Sequence, residues 1–120
     1  MTTMRVIPTQ AHAVLDYVTG GALVAAPRLL GLGGSAAGRV LRLAGGGATA
    51  YSVLTDYELG LIKVLPMRTH LALDAASGAL VVASPWLFGF AKEGTRHWLP
   101  HVIVGATEIL VAATTKTDWR

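Results

Sequence analysis

Residues 12–31 read HAVLDYVTGGALVAAPRLLG, and residues 70–89 read HLALDAASGALVVASPWLFG. Shifted by 58 positions, His12 falls on His70, Leu15 on Leu73 and Asp16 on Asp74; Gly20 falls on Gly78, Pro27 on Pro85, Leu29 on Leu87 and Gly31 on Gly89. A shared apolar composition does not by itself align His, Asp, Gly and Pro, so the stretch marks an internal repeat. The same shift, carried on without a gap, places Gly47-Ala48-Thr49 on Gly105-Ala106-Thr107 and Val53 on Val111.

Each copy reads as two helices. The apolar runs are too long and too rich in Ala, Gly and Leu for strands. Spans are expected over about 10–30, 39–57, 69–90 and 98–115, with turns at 31–35 and 92–94. Pro8 and Pro66 stand just before the first helix of each copy, where the missing N–H costs nothing. Pro27 and Pro85 come late and should kink or end their helices. The expected organisation is a first repeat over 1–57, a linker over 58–68 and a second repeat over 69–120.

Composition says which solvent such helices meet. Of 120 residues, 14% are charged and 52% hydrophobic; ordinary soluble domains carry roughly 25% charged residues. Mean hydropathy is +0.52. These figures disfavour a soluble enzyme, a disordered tail and a nucleic-acid binder. The net charge of +3 comes with no basic run, so no nucleic-acid partner is expected. Four spans of about 20 residues fit the length. The expected fold is all-α: a four-transmembrane-helix bundle of two parallel helical-hairpin repeats, with the lipid bilayer as partner. There is no cysteine, which removes disulfides, thiolate metal sites and cysteine nucleophiles.

The segment Ser84-Pro85-Trp86-Leu87-Phe88-Gly89-Phe90, closing a helix that opens with His70 and Asp74, resembles the SPW repeat. The first copy has Ala26-Pro27-Arg28 at that place and looks degenerate. The resemblance covers nearly the whole chain. It implies a small, multi-pass protein of a bacterial inner (cell) membrane, with two spans per repeat and the motif at the end of the first. It brings no settled activity and no catalytic residues. Trp86 is read as an anchor at the headgroups, and Ser84 as a hydroxyl bonding back one turn to ease Pro85.

Two spans per copy return the chain to its starting side, so the copies are parallel repeats about an axis along the membrane normal. Arg5, Lys63, Arg68, Lys116 and Arg120 lie on the side of the termini, and Arg28, Arg39, Arg42, Lys92 and Arg96 on the other. Five against five leaves orientation open. Gly20, Gly21, Gly45 to Gly47 and Gly105, with a face of Ala75, Ala79 and Ala83, are expected to let helices pack closely or a second copy of the chain associate.

The chemistry-bearing residues are few. His12 and Asp16 share one helix face, as do His70 and Asp74; Glu108 should reach a similar depth on the last helix. Such a set fits polar pairs that hold helices together. It equally fits a proton or cation path, a divalent metal site, or a pocket for a small polar ligand. His97 and His101, four apart, form a weaker metal-ligand pair in what reads as an interface segment. Haem between His12 and His70 is conceivable by symmetry. No catalytic residue is assigned and no cofactor is required. The leading reading is a non-enzymatic membrane module with a polar His/Asp/Glu cluster. A transporter or channel component, and a metal- or haem-binding membrane protein, are the alternatives.

Overall fold

The computed structural model describes residues 5–119. Its helices are α1 (Thr9–Leu29), α2 (Ala36–Val53), α3 (Met67–Leu87) and α4 (Thr95–Thr114), with a short 3-10 turn at Ala91–Glu93 before α4. Pro8 and Pro66 precede α1 and α3 in extended conformation. The carbonyls of Pro8 and Pro66 accept from His12 N at 3.1 Å and His70 N at 3.0 Å. Each proline thus sets the start of its helix and the height of the histidine one turn on. Pro27 and Pro85 act as terminators, since each helix runs only to Leu29 or Leu87. Gly31 and Gly89 follow at φ 70° and 77°, a left-handed conformation that reverses the chain. Ser35 begins α2, accepting from Gly38 N at 3.0 Å.

α1 packs on α2 and α3 on α4, and the hairpins meet chiefly through α2 and α3. One end is closed by Leu23, Leu32, Ala37, Leu41 and Phe90. The other end, which carries both described chain ends, is packed with Ala13, Tyr57, Met67, Leu71 and Ala112. There the segment before α1 lies along the end of α4, as the segment before α3 lies along the end of α2. The short bridges are Ile7 to Thr115 and Leu65 to Thr55. Arg5 adds a cap, donating from Nη1 to Ala112 O at 3.0 Å and Thr115 O at 2.8 Å.

Two expectations need correction. α2 ends at Val53, not at 57. The carbonyl of Val53 accepts from Leu61 N and Ile62 N, and that of Leu54 from Leu65 N. The segment after α2 therefore folds back on the helix end, and Tyr57 leaves the helix to enter the core. The repeat is also not gapless. Gly20 sits against Gly45, and Gly78 against Gly105; the bridges pair Thr55 with one leading segment and Thr115 with the other. The first helices of the copies correspond at a shift of 58 and the second helices at 60. Burial agrees: Leu41, Gly45, Ser52 and Thr55 are buried, as are His101, Gly105, Ala112 and Thr115. The extra residues lie around the turn from Phe88 to Gly94, which is longer than its counterpart.

Close approach follows these glycines. A Cβ on Gly45 would stand 2.7 Å from Gly20 O, and one on Gly105 would stand 2.4 Å from Gly78 O. Gly21, Gly46 and Gly47 meet nothing within 4 Å. The face of Ala75, Ala79 and Ala83 does not make the close helix contact: Ala79 and Ala83 are exposed.

The outward surface is apolar. Val18 is 64% exposed, Leu43 75% and Leu110 64%. Over 14–25, 43–50, 72–87 and 99–113, no exposed position holds Asp, Glu, Lys or Arg. No helix among the described residues, however, is long and apolar enough to cross a membrane. The four-helix architecture matches expectation; helix hydropathy alone does not carry the expectation of four spans. The inward-facing His, Asp, Ser, Thr and Gly residues, with Arg39 and Arg42, dilute the average.

Candidate functional site: a buried ring of two histidines and two aspartates

One turn inside α1 and α3, four side chains close on one another. His12 Nε2 lies 2.8 Å from Asp74 Oδ2 and 3.1 Å from Asp16 Oδ1. His70 Nε2 lies 2.9 Å from Asp16 Oδ2 and 3.2 Å from Asp74 Oδ2. Each imidazole faces the aspartate of its own helix and that of the other. His12, His70 and Asp74 are buried, and Asp16 is half-buried.

Outer partners hold all four. Nδ1 of His12 is 2.8 Å from Thr115 Oγ1, and Nδ1 of His70 is 2.7 Å from Thr55 Oγ1. Each threonine hydroxyl donates its own proton at 2.6 Å, Thr115 to Val111 O and Thr55 to Tyr51 O. A hydroxyl has one proton to give, so each accepts from the imidazole. Nδ1 therefore carries hydrogen on both rings, an assignment made by the network. The aspartates are held by phenols: Tyr51 donates to Asp74 Oδ1, and Tyr57 donates to Asp16 Oδ2 at 2.7 Å. Burial above all, with the Asp16 charge added, pushes the Tyr57 phenol up, which keeps it a donor. The His70 ring is enclosed by His12, Tyr51 and Tyr57, with ring centroids 5.2, 5.0 and 5.2 Å away.

The outer shell is nearly symmetric. The threonine ending α4 serves the histidine of α1, and the threonine ending α2 serves the histidine of α3. The tyrosines break the symmetry. Tyr51 corresponds to Val111 at a shift of 60. Tyr51 fills the gap between α2 and α3, whereas α4 stands off from α1. A cleft of about 220 Å³ opens there, with His12, Asp16 and Asp74 at its floor and Leu15, Val104 and Glu108 among its walls. Glu108, whose structural counterpart is Ala48, lines this cleft beside the ring but is not among the grouped ligand atoms.

The remaining expected residues lie elsewhere. His101 is buried and donates from Nε2 to Ala37 O at 2.9 Å, against Phe90. That bond engages one nitrogen of His101; Nδ1 of His97 and Nδ1 of His101 are buried without a hydrogen-bond partner, and among the described residues the two join no group of three or more ligand residues. Haem does not fit between His12 and His70, whose ring centroids stand 5.2 Å apart at 77°. Ser84 donates to Val81 O at 2.7 Å beside buried Pro85. Trp86 is 59% exposed, with Trp98 6.2 Å away. Thr55, Thr115 and Tyr57 escaped the sequence reading. The two threonines, each closing a second helix, become legible as a pair only at the 60-residue shift.

The motif that ends α3 and the paired hairpins have their counterpart in one comparison. Residues 10–115 match the family model described as the SPW repeat domain. The chain belongs to the SPW repeat family. Its ring, outer shell and cleft all draw on residues inside the matched span. No curated protein and no solved structure matches this SPW repeat protein.

Proposed function

We propose that this SPW repeat protein is a multi-pass module of a bacterial cell membrane. Its two hairpins enclose a polar binding site that opens through the cleft between α1 and α4. The observation that carries the reading is the inverted distribution of polarity. Ionisable side chains of the central bundle face inwards, and exposed positions over the helix middles hold no charged residue. Water would not select that arrangement, and lipid would. At 18 to 21 residues, the helices run about 27–32 Å at 1.5 Å per residue, near a ~30 Å hydrocarbon layer. Helix hydroxyls turn back on their own carbonyls, as Thr107 does on Ile103 O and Thr49 on Gly45 O.

A binding role is favoured over a through-path. Beyond the ring the bundle is closed by Leu23, Leu32, Leu41 and Phe90.

The test is fractionation of cells producing the full chain. Membranes are washed at alkaline pH and then extracted with detergent. The protein should stay with the membranes through the wash and enter solution only with detergent. Release by the wash in a folded, monodisperse form overturns the proposal.

A further inference from the structure

We infer that His12, Asp16, His70 and Asp74 bind one divalent first-row transition-metal ion through Nε2 of each imidazole and one oxygen of each carboxylate. The inference deepens the reading of the interior as a binding site, and it holds whether or not lipid surrounds the bundle.

Geometry comes first. One ligand atom from each of the four residues lies within 4.8 Å of the others. An ion held at about 2.0–2.2 Å from nitrogen and oxygen ligands needs them within about 4.4 Å of one another, a small contraction of this set. The second observation is the state of His70. Its Nε2 is wholly buried and lies between two carboxylate oxygens, 2.9 Å from Asp16 Oδ2 and 3.2 Å from Asp74 Oδ2, without the alignment of a hydrogen bond to either.

The outer shell says the same. Imidazoles that ligate metals usually donate their other N–H to a fixed acceptor. Here Thr115 and Thr55 receive Nδ1–H from the two rings and leave Nε2 facing inwards. Tyr51 and Tyr57 orient the two carboxylates in the same way.

Charge then selects the ion. Once each Nε2 gives up its proton to bind, two neutral imidazoles and two carboxylates sum to minus two, which a divalent cation cancels. Two borderline nitrogen and two hard oxygen donors suit manganese, ferrous iron, cobalt, nickel or zinc. The imidazoles argue against magnesium and calcium, which prefer all-oxygen shells. Absence of cysteine argues against a soft-metal site. The cleft beside Val111, where no tyrosine fills the gap, gives the ion a route in and leaves one side of its shell reachable by an outside ligand.

The test uses the full chain purified in detergent, stripped with chelator, dialysed against cobalt(II), manganese(II) or zinc(II), and freed of excess metal. Elemental analysis should find about one ion per chain, and cobalt should give visible ligand-field bands. His97→Ala should keep both. Asp16→Asn and His70→Ala should lose both, with helicity by circular dichroism confirming that the variants fold. Should they not fold, the wild-type protein still decides. A folded wild-type chain that retains no metal, or a cobalt spectrum without low-symmetry nitrogen and oxygen ligation, overturns the inference. Membrane fractionation is unaffected by either outcome, so the two proposals fail separately.

Discussion

His12 Nδ1 donates to Thr115 Oγ1 across 2.8 Å, tying the first turn of α1 to the residue that ends α4. The same relationship joins His70 to Thr55. The hairpins are therefore locked at one end by two crossed hydrogen bonds around the ring. Thr115→Val leaves a buried imidazole N–H without an acceptor, which costs about 1–3 kcal/mol. Loss of the outer partner should also weaken cobalt binding about 10–100-fold. Thermal melts and metal titration of Thr115→Val and Thr55→Val check this, with Thr→Ser at either position retaining both properties.

Glycine substitutions distinguish the two alignments of the repeat. A Cβ at Gly105 would stand 2.4 Å from Gly78 O and 2.6 Å from a Val82 methyl, so Gly105→Ala should destabilise by about 1–3 kcal/mol. Gly47, its partner in the ungapped alignment, meets nothing within 4 Å. Gly47→Ala should be neutral or stabilise by up to about 1 kcal/mol, since alanine is the better helix former. Gly45→Ala, the structural equivalent, should behave as Gly105→Ala does. Thermal denaturation of the three variants in one detergent is sufficient.

Glu108 shares its cleft with Asp16 and Asp74, and no Lys or Arg lines that cleft. Glu108→Gln removes a like charge and should leave the melting temperature unchanged or raised, with metal stoichiometry intact. An ion-path role would instead make this variant lose flux in liposomes while wild type conducts. The apolar closure beyond the ring predicts that wild type does not conduct.

Tyr57→Phe removes the donor to Asp16 Oδ2 without changing ring volume. The expected cost is about 1.5–3 kcal/mol, the range for a hydrogen bond to a charged group. Tyr57 is wholly buried in the core, so Tyr57→Ala should cost more, about 3–5 kcal/mol, through cavity formation. Denaturant or thermal melts separate the two effects.

Much of this arrangement could be read from residues 12–31 and 70–89. The recurrence of His, Asp, Gly and Pro at one spacing names the paired helices, and the His-x-x-x-Asp face gives the four members of the ring. What lay beyond reach depended on contacts between helices. Periodicity does not say that His12 faces Asp74 as well as Asp16, because that depends on how α1 and α3 cross. The early end of α2 and the inward turn of Tyr57 come from backbone bonds between Val53–Leu54 and Leu61–Leu65, a loop with no periodic signal. The Gly/Ala pattern exposed the presence of close packing but not its partners. Gly78 touches Gly105, whereas Ala79 and Ala83 face outwards. Spacing put His97 and His101 on one helix face, but not that the Ala37 carbonyl takes Nε2 of His101.

Anomalous diffraction from cobalt-loaded crystals of the full chain tests the central claim most directly. A single peak about 2 Å from Nε2 of His12 and His70 and from a carboxylate oxygen of Asp16 and Asp74 is the expected result. A well-ordered ring with no peak, or a peak seated instead at His97 and His101, contradicts it.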